Sequence, residues 1–203
     1  LARSEEYAPL LQEIEKVLGV TYHYENDRYF IKSLDGTVIP DYAASTSVRS
    51  LMHLHYYLKH YAEKGDMLMI DEPEMSLHPE NQVRLVRLLV QLMNAGLRIW
   101  ISTHSDYMVK ELNNLIMLSN IKGKAQERLM KEYGYADASV LLNAEDLRAY
   151  VAEIPKGEQK SRVRRIAVDP QYGMEESTFD EEIRRIDNAA NAFAAQIELQ
   201  QKP

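Results

Sequence analysis

The sequence predicts an α/β fold: parallel strands flanked by helices, with an antiparallel β-hairpin region before them and a helix at the C-terminal end. Three observations carry this. The short apolar run Met67-Leu68-Met69-Ile70 ends in Asp71-Glu72-Pro73-Glu74 and reads as a buried strand stopped by a proline. Val83, Val86, Leu89, Val90 and Met93 then recur at helical spacing, after Pro79 in the first turn and before Asn94-Ala95-Gly96, where Gly96 suits a left-handed cap. A second apolar run, Leu97 to Ile101, ends in Ser102-Thr103-His104-Ser105. Strand, helix, strand is a βαβ unit whose crossover is almost always right-handed, so the two carboxyl ends share one edge. Open α/β sheets place their ligands at that edge. Asp71, Glu72 and His104 are therefore expected to converge there, as a site for a magnesium ion and a base beside a phosphate.

The other elements follow in order. Leu10, Ile14, Val17 and Leu18 make a short amphipathic helix stopped by Gly19, and core packing is its simplest role. Tyr22, Tyr24, Tyr29, Phe30 and Ile31 favour strands, separated by a turn at Glu25-Asn26-Asp27 and followed by a two-residue hairpin signal, Asp35-Gly36. The tyrosines either stack on a base or cover a half-buried sheet; the second is the more economical reading. Asp41 to Ser50, rich in small residues, opens a helix with the stripe Leu51, Leu54, Leu58 and Tyr61. Such an opening presents backbone N–H groups to an anion, or is an ordinary serine cap. His53, His55 and His60 lack the three- or four-residue spacing of a shared metal face and read as surface or packing residues.

Ser105 or Asp106 caps the next helix, with Met108, Leu112 and Leu115 toward the core; Asn113-Asn114 leads to a further apolar run, Leu115 to Leu118. A charged helix is expected within 120–135, broken at Gly134. Lys156, Lys160, Arg162, Arg164 and Arg165 form a basic run that either meets nucleic-acid phosphates or is the solvated face of a strand whose Val163, Ile166 and Val168 lie near the buried side. Asp169-Pro170 and Tyr172-Gly173 read as a loop. Thr178 and Glu181 form a capping box for a C-terminal helix with Phe179, Ile183, Ile186, Ala190, Phe193 and Ile197 on one stripe.

Several of these stretches resemble a known family. Leu68-Met69-Ile70-Asp71-Glu72-Pro73-Glu74 resembles the Walker B motif of ABC-type ATPases, Ser76-Leu77-His78-Pro79 their D-loop, and Ser102-Thr103-His104-Ser105 their switch-histidine loop, in the family's order and spacing. The similarity points to the SMC-like "AAA family" ATPases, which include the ATPase halves of overcoming-lysogenization-defect and phage-defence proteins. The resemblance spans residues 41–118. It implies the C-terminal lobe of a P-loop NTPase of ABC type, working with ATP and Mg2+. Asp71 would hold the metal through water, Glu72 would be the catalytic base and His104 would contact the γ-phosphate. Ser45, with Ser47 beside it, would meet the nucleotide of an opposite subunit in trans. Ser76, Leu77 and His78 would couple the two sites. Ser47 stands where the family usually has glycine.

No Walker A motif is present. The one Gly-Lys pair, Gly123-Lys124, is followed by Ala125, and Leu118 occupies the place of the earlier glycine. The resemblance therefore implies a partner lobe carrying Walker A, in the same or another chain, and a homodimer through ATP-sandwiched heads, with DNA or an effector protein as a further partner. The expected organisation is 1–19 as the end of a helical insertion or hinge, 20–118 as the lobe, and 119–203 as an extension packed on it. Two other readings stay open: a non-catalytic interaction module retaining the fold, and a nucleic-acid-binding module using the basic run. The 203 residues suffice for a sizeable core, and 45% hydrophobic with 27% charged content is that of an ordinary globular chain. The absence of cysteine excludes disulfides and thiolate metal sites. A net charge of −7 argues against nonspecific nucleic-acid binding by the chain as a whole. No apolar run approaches a membrane span, and the start lacks a secretory pattern and a methionine. The expectation is a cytoplasmic protein, without membrane contact, present here as a processed or truncated piece.

Overall fold

The computed structural model describes residues 7–25, 28–155, 157, 159–174, 185, 188–191 and 193, and these form an α/β fold. The chain divides into two compact units, Leu1–Asn143 and Ala144–Pro203.

In the first unit α1 (Ala8–Leu18) carries Pro9 in its first turn, where a missing N–H costs nothing, and ends at Gly19. Ile14 and Val17 are buried, and the helix packs on α2 (Thr46–His60) and α3 (Pro79–Asn94), as a core-packing role requires. Between α1 and α2 lies an antiparallel sheet of β1 (Val20–Glu25), β2 (Arg28–Ser33) and β3 (Val38–Ile39), with Tyr22 opposite Ile31 and Ile31 opposite Ile39. The hairpin at Asp35-Gly36 is one residue longer than the sequence signal suggests. The Ser33 amide donates to Thr37 O at 3.0 Å, and Gly36 sits at φ 86. A three-residue loop with a left-handed residue is the standard alternative to the two-residue turn. Tyr22 covers this sheet and offers no ring for stacking: it is buried, and its hydroxyl donates to Val48 O at 2.5 Å. Burial, reinforced by Glu15, pushes its phenol above the ordinary range.

Leu51, Leu54 and Leu58 of α2 are buried as their spacing predicts. Tyr61, expected on the same stripe, is exposed because the helix has already ended and Tyr61 is its C-cap. His55 is a packing residue, buried against the Tyr22 ring at 4.9 Å between centroids, but with a carboxylate the spacing did not foresee: Glu15 of α1 lies 3.6 Å from its Nε2.

β4 (Met67–Asp71) and β5 (Arg98–Ser102) pair in parallel across α3, with Met69 opposite Trp100 and Asp71 opposite Ser102. Gly96 makes the turn into β5 at φ 109, where a Cβ would lie 2.7 Å from Lys64 Cγ. The expectation of a buried strand fails here. Burial alternates along both strands, and Met67, Met69 and Trp100 are 51%, 63% and 61% exposed. Among the described residues no third strand pairs with either. Parallel strands read as continuous apolar runs because both faces are normally covered; this pair has the composition of covered strands and an uncovered face.

The core of the unit is α3, which buries Leu85, Val86, Leu88, Leu89, Val90 and Leu92, each worth about 1.5–3 kcal/mol. It packs on α4 (Asp106–Asn120), capped by Ser105, whose Oγ accepts the Met108 amide at 3.2 Å. Met108 and Leu115 are buried and Leu112 is half-buried. The helix runs unbroken through Asn113-Asn114, so the apolar run 115–118 is its second half and not a separate element. Arg87 of α3 meets the buried Glu111 of α4 at 2.6 Å, donates to Gly134 O at 3.1 Å and lies 4.2 Å over the Tyr135 ring, binding α3, α4 and the segment after α5 (Lys124–Glu132) together.

In the second unit β6 (Ala149–Glu153) and β7 (Arg162–Ile166) are antiparallel. Arg162, Arg164 and Arg165 of the basic run lie in a strand, Lys160 precedes it and Lys156 lies outside the described residues; Ile166 is buried, but Val163 is exposed, contrary to expectation. It faces away from Ile166 because their spacing is odd. Arg162 and Arg164 are engaged by Glu153, at 2.9 and 3.4 Å, and they hold its carboxyl below the usual range. β8 (Val168–Asp169) and β9 (Gly173–Met174) close a short hairpin, its turn held by the Asp169 carboxylate on the amides of Gln171 and Tyr172. The capping box Thr178 and Glu181, with Phe179, Ile183, Ile186 and Ile197, lies outside the described residues; Ala190 and Phe193 are helical. Among the described residues no helix is long and apolar enough to cross a membrane.

Candidate active site

β4 and β5 end side by side, and their parallel register puts Asp71 opposite Ser102. The Ser102 hydroxyl donates to Asp71 Oδ1 and accepts the Glu72 amide at 3.1 Å. The chain then turns sharply. Glu72 has φ 44 and Ser76 has φ 65, the two non-glycine residues in the left-handed region among those described. Such conformations cost of order 1 kcal/mol or more and persist where the surroundings enforce them. The turn brings Glu72 Oε1 to 3.4 Å from His104 Nε2. Asp71, Glu72 and His104 thus stand together at the carboxyl edge, and the His104 imidazole is almost fully exposed above it.

The Ser76-Leu77-His78 segment is pinned at its middle. Leu77 is buried, while Ser76 and His78 on either side are exposed. The Leu77 carbonyl accepts from Gln82 Nε2 at 2.9 Å. His78 is the N-cap of α3, its Nδ1 accepting the Glu80 amide at 3.4 Å. Ser45 is the N-cap of α2; its Oγ accepts the Val48 amide at 3.3 Å and lies 3.0 Å from the Ser47 hydroxyl. Ser45 is exposed, whereas Ser47 is buried beneath it.

Two residues next to the expected set were not singled out from sequence. Glu74, only 7% exposed, accepts the Thr103 hydroxyl at 2.6 Å and the His104 amide at 3.0 Å through Oε1, while its buried Oε2 has no hydrogen-bond partner. Gln82 accepts the Ser105 hydroxyl as well as holding Leu77. The signal for Glu74 was a charged residue inside a stretch otherwise read as strand and turn. Nothing in the spacing marked Gln82, which sits among ordinary polar positions of an amphipathic helix.

The oxygen donors at the edge suit a hard cation. No group of three or more His, Asp or Glu able to hold a metal occurs among the described residues. Mg2+ characteristically takes one or two carboxylates and completes its shell with water and substrate phosphates. Asp71 and Glu72 could supply that one or two carboxylates.

Fold and site together define an α/β protein whose polar groups gather at the carboxyl edge of two parallel strands. The family model of the AAA ATPase domain matches residues 3–109, more than half of the sequence, and the chain belongs to that family. Its members generally use ATP and Mg2+. Among solved structures, one described under "Structural biochemistry of ATP-driven dimerization and DNA stimulated activation of SMC ATPases" is similar at 15% identity and a TM-score of 0.49, over 88% of this chain and 91% of that chain. No curated protein matches.

Proposed function

We propose that this chain is the C-terminal lobe of an ABC/SMC-like ATPase, completed by a lobe that carries Walker A. The observation that carries the reading is the approach of Glu72 and His104 to 3.4 Å beside Asp71, at the end of parallel strands. Glu72 orients and deprotonates the attacking water, a general-base role. His104, exposed and next to that carboxylate, contacts the γ-phosphate. Asp71, already oriented by Ser102, would hold Mg2+ through water, and the ion would offset charge on the phosphates. Phosphoryl transfer of this kind rests mainly on positioning and charge stabilisation.

Two such heads sandwich the nucleotide, so that hydrolysis switches dimerisation. Ser45 and the first N–H groups of α2 form an anion site for the opposite head's nucleotide, with Ser47 packed beneath. Ser76, Leu77 and His78 couple the two sites, the buried Leu77 serving as the anchor. Residues 20–118 form the lobe proper. The bare face of Met67, Met69 and Trp100, on strands whose outer edges are unpaired among the described residues, favours a missing mate over a self-sufficient enzyme.

The same face favours one other reading, a non-catalytic interaction module that has kept the fold. Calorimetry with Mg-ATP decides between them. The chain alone is expected to bind none detectably, and the chain mixed with a Walker A lobe is expected to bind and hydrolyse it. Stable association without hydrolysis would leave the interaction module, and tight binding by the chain alone would sink the half-site. Trp100 is the sole tryptophan, so docking of the lobe should shift its emission to the blue.

A further inference from the structure

Each residue from Ser102 to Ser105 is fastened to the stretch from the end of β4 to the start of α3. Ser102 is tied to Asp71, Thr103 and the His104 backbone to Glu74, and Ser105 to Gln82. Glu74 is the middle fastening and the one set deepest. Its own carbonyl accepts the Leu77 amide at 2.9 Å, so its position is shared with the buried anchor of the Ser76–His78 segment. One buried oxygen taking two donors from the same loop, on a residue whose backbone also holds Leu77, fixes that loop at two points. The arrangement makes sense if the position of His104 must be fixed closely.

From this geometry we infer that Glu74 is a positioning residue for the ATPase reaction: by gripping Thr103 and the His104 amide, it sets the His104 imidazole against Glu72. For its kinetic consequence the inference rests on the ATPase reading above; for its geometry it does not. His104 has no packing of its own to orient it, since its ring is exposed. Its backbone is the means by which the fold can aim it. A misplacement of about 1 Å at a reacting group can cost on the order of a hundredfold in rate.

The test has two arms. In the chain by itself, hydrogen exchange read by NMR should show a protected His104 amide. Protection should fall at least tenfold in Glu74→Ala and be largely kept in Glu74→Gln, which retains an acceptor and the side-chain volume. In the ATPase assembled with its Walker A lobe, Glu74→Ala should lower kcat by about tenfold to a hundredfold with little change in KM for Mg-ATP, and Glu74→Gln should recover most of the loss. In a His104→Ala background, Glu74→Ala should cost nothing further, because residues acting as one unit are not additive.

Unchanged protection of the His104 amide in Glu74→Ala overturns the inference. So do fully additive effects of the two substitutions, or a rise in KM at constant kcat. If the wild-type assembly fails to hydrolyse ATP, the ATPase reading falls, and the exchange arm alone decides whether Glu74 positions His104.

Discussion

The first unit holds two sheets built to opposite ends. β1–β3 is a closed sheet: Val20, Tyr22 and Ile31 are buried, Tyr22 is tied to α2 through Val48, and α1 supplies Glu15 to the Tyr22 amide at 3.1 Å. β4–β5 is just as apolar in sequence, yet Met67, Met69 and Trp100 face solvent. The chemical groups sit on the open sheet. Apolar sequence therefore reports a surface that needs covering, and it does not say whether the cover belongs to the same lobe.

The sharpest way to break this contrast is at the carboxyl edge. In the proposed assembled ATPase, Glu72→Gln should leave Mg-ATP binding intact and reduce phosphate release by roughly 10²- to 10⁴-fold, the span of general acid–base catalysis. Turnover at the wild-type rate would remove the base from Glu72. Next in size is the closed sheet. Ile31→Ala should cost about 2–5 kcal/mol in urea unfolding of the chain alone, because it empties a buried site.

Acid should also act on the closed side. Desolvation, then Lys59 and His60, lower the pKa of the buried His55 from 6.5 to about 4, while Glu15 faces it from α1 and Tyr22 from β1. The folded state thus prefers neutral His55. Its contribution is fully present above about pH 6.5 and is lost as pH falls toward 4, by at most about 3 kcal/mol. Unfolding followed against pH should show this slope, and His55→Leu should flatten it. A slope surviving in that variant would place the acid sensitivity elsewhere.

The smallest expected effect makes the comparison sharpest. Met69→Ser, on the open face, should change the stability of the isolated chain by no more than about 0.5 kcal/mol, yet weaken association with the proposed Walker A lobe in a pull-down titration. A cost matching that of Ile31→Ala would mean that the open face is covered after all.

Much of this was legible in the sequence, for reasons that differ from place to place. The βαβ unit was readable because Pro79, the helical repeat from Val83 to Met93 and the two flanking apolar runs all agree. That Glu72 and His104 share one edge followed from the parallel crossover; their 3.4 Å approach needs the left-handed turn at Glu72, which the spacing did not show. The exposure of Met69 and Trp100 was not readable, since composition is the same for a covered strand and for one awaiting cover. The bracing by Glu74 and Gln82 escaped because it depends on side chains meeting across loops far apart in sequence. The end of α2 before Tyr61 and the continuity of α4 through Asn113-Asn114 show the usual weakness at boundaries, where tertiary contacts override local propensity.

The outer edges of β4 and β5, unpaired among the described residues, also bear on how the molecule survives in solution. Such edges beside an exposed Met-Trp stripe form a template on which an extended chain can lie down. The isolated chain should therefore be prone to self-association and aggregation, and on the proposed reading co-production with a Walker A lobe should raise its solubility before any nucleotide chemistry begins.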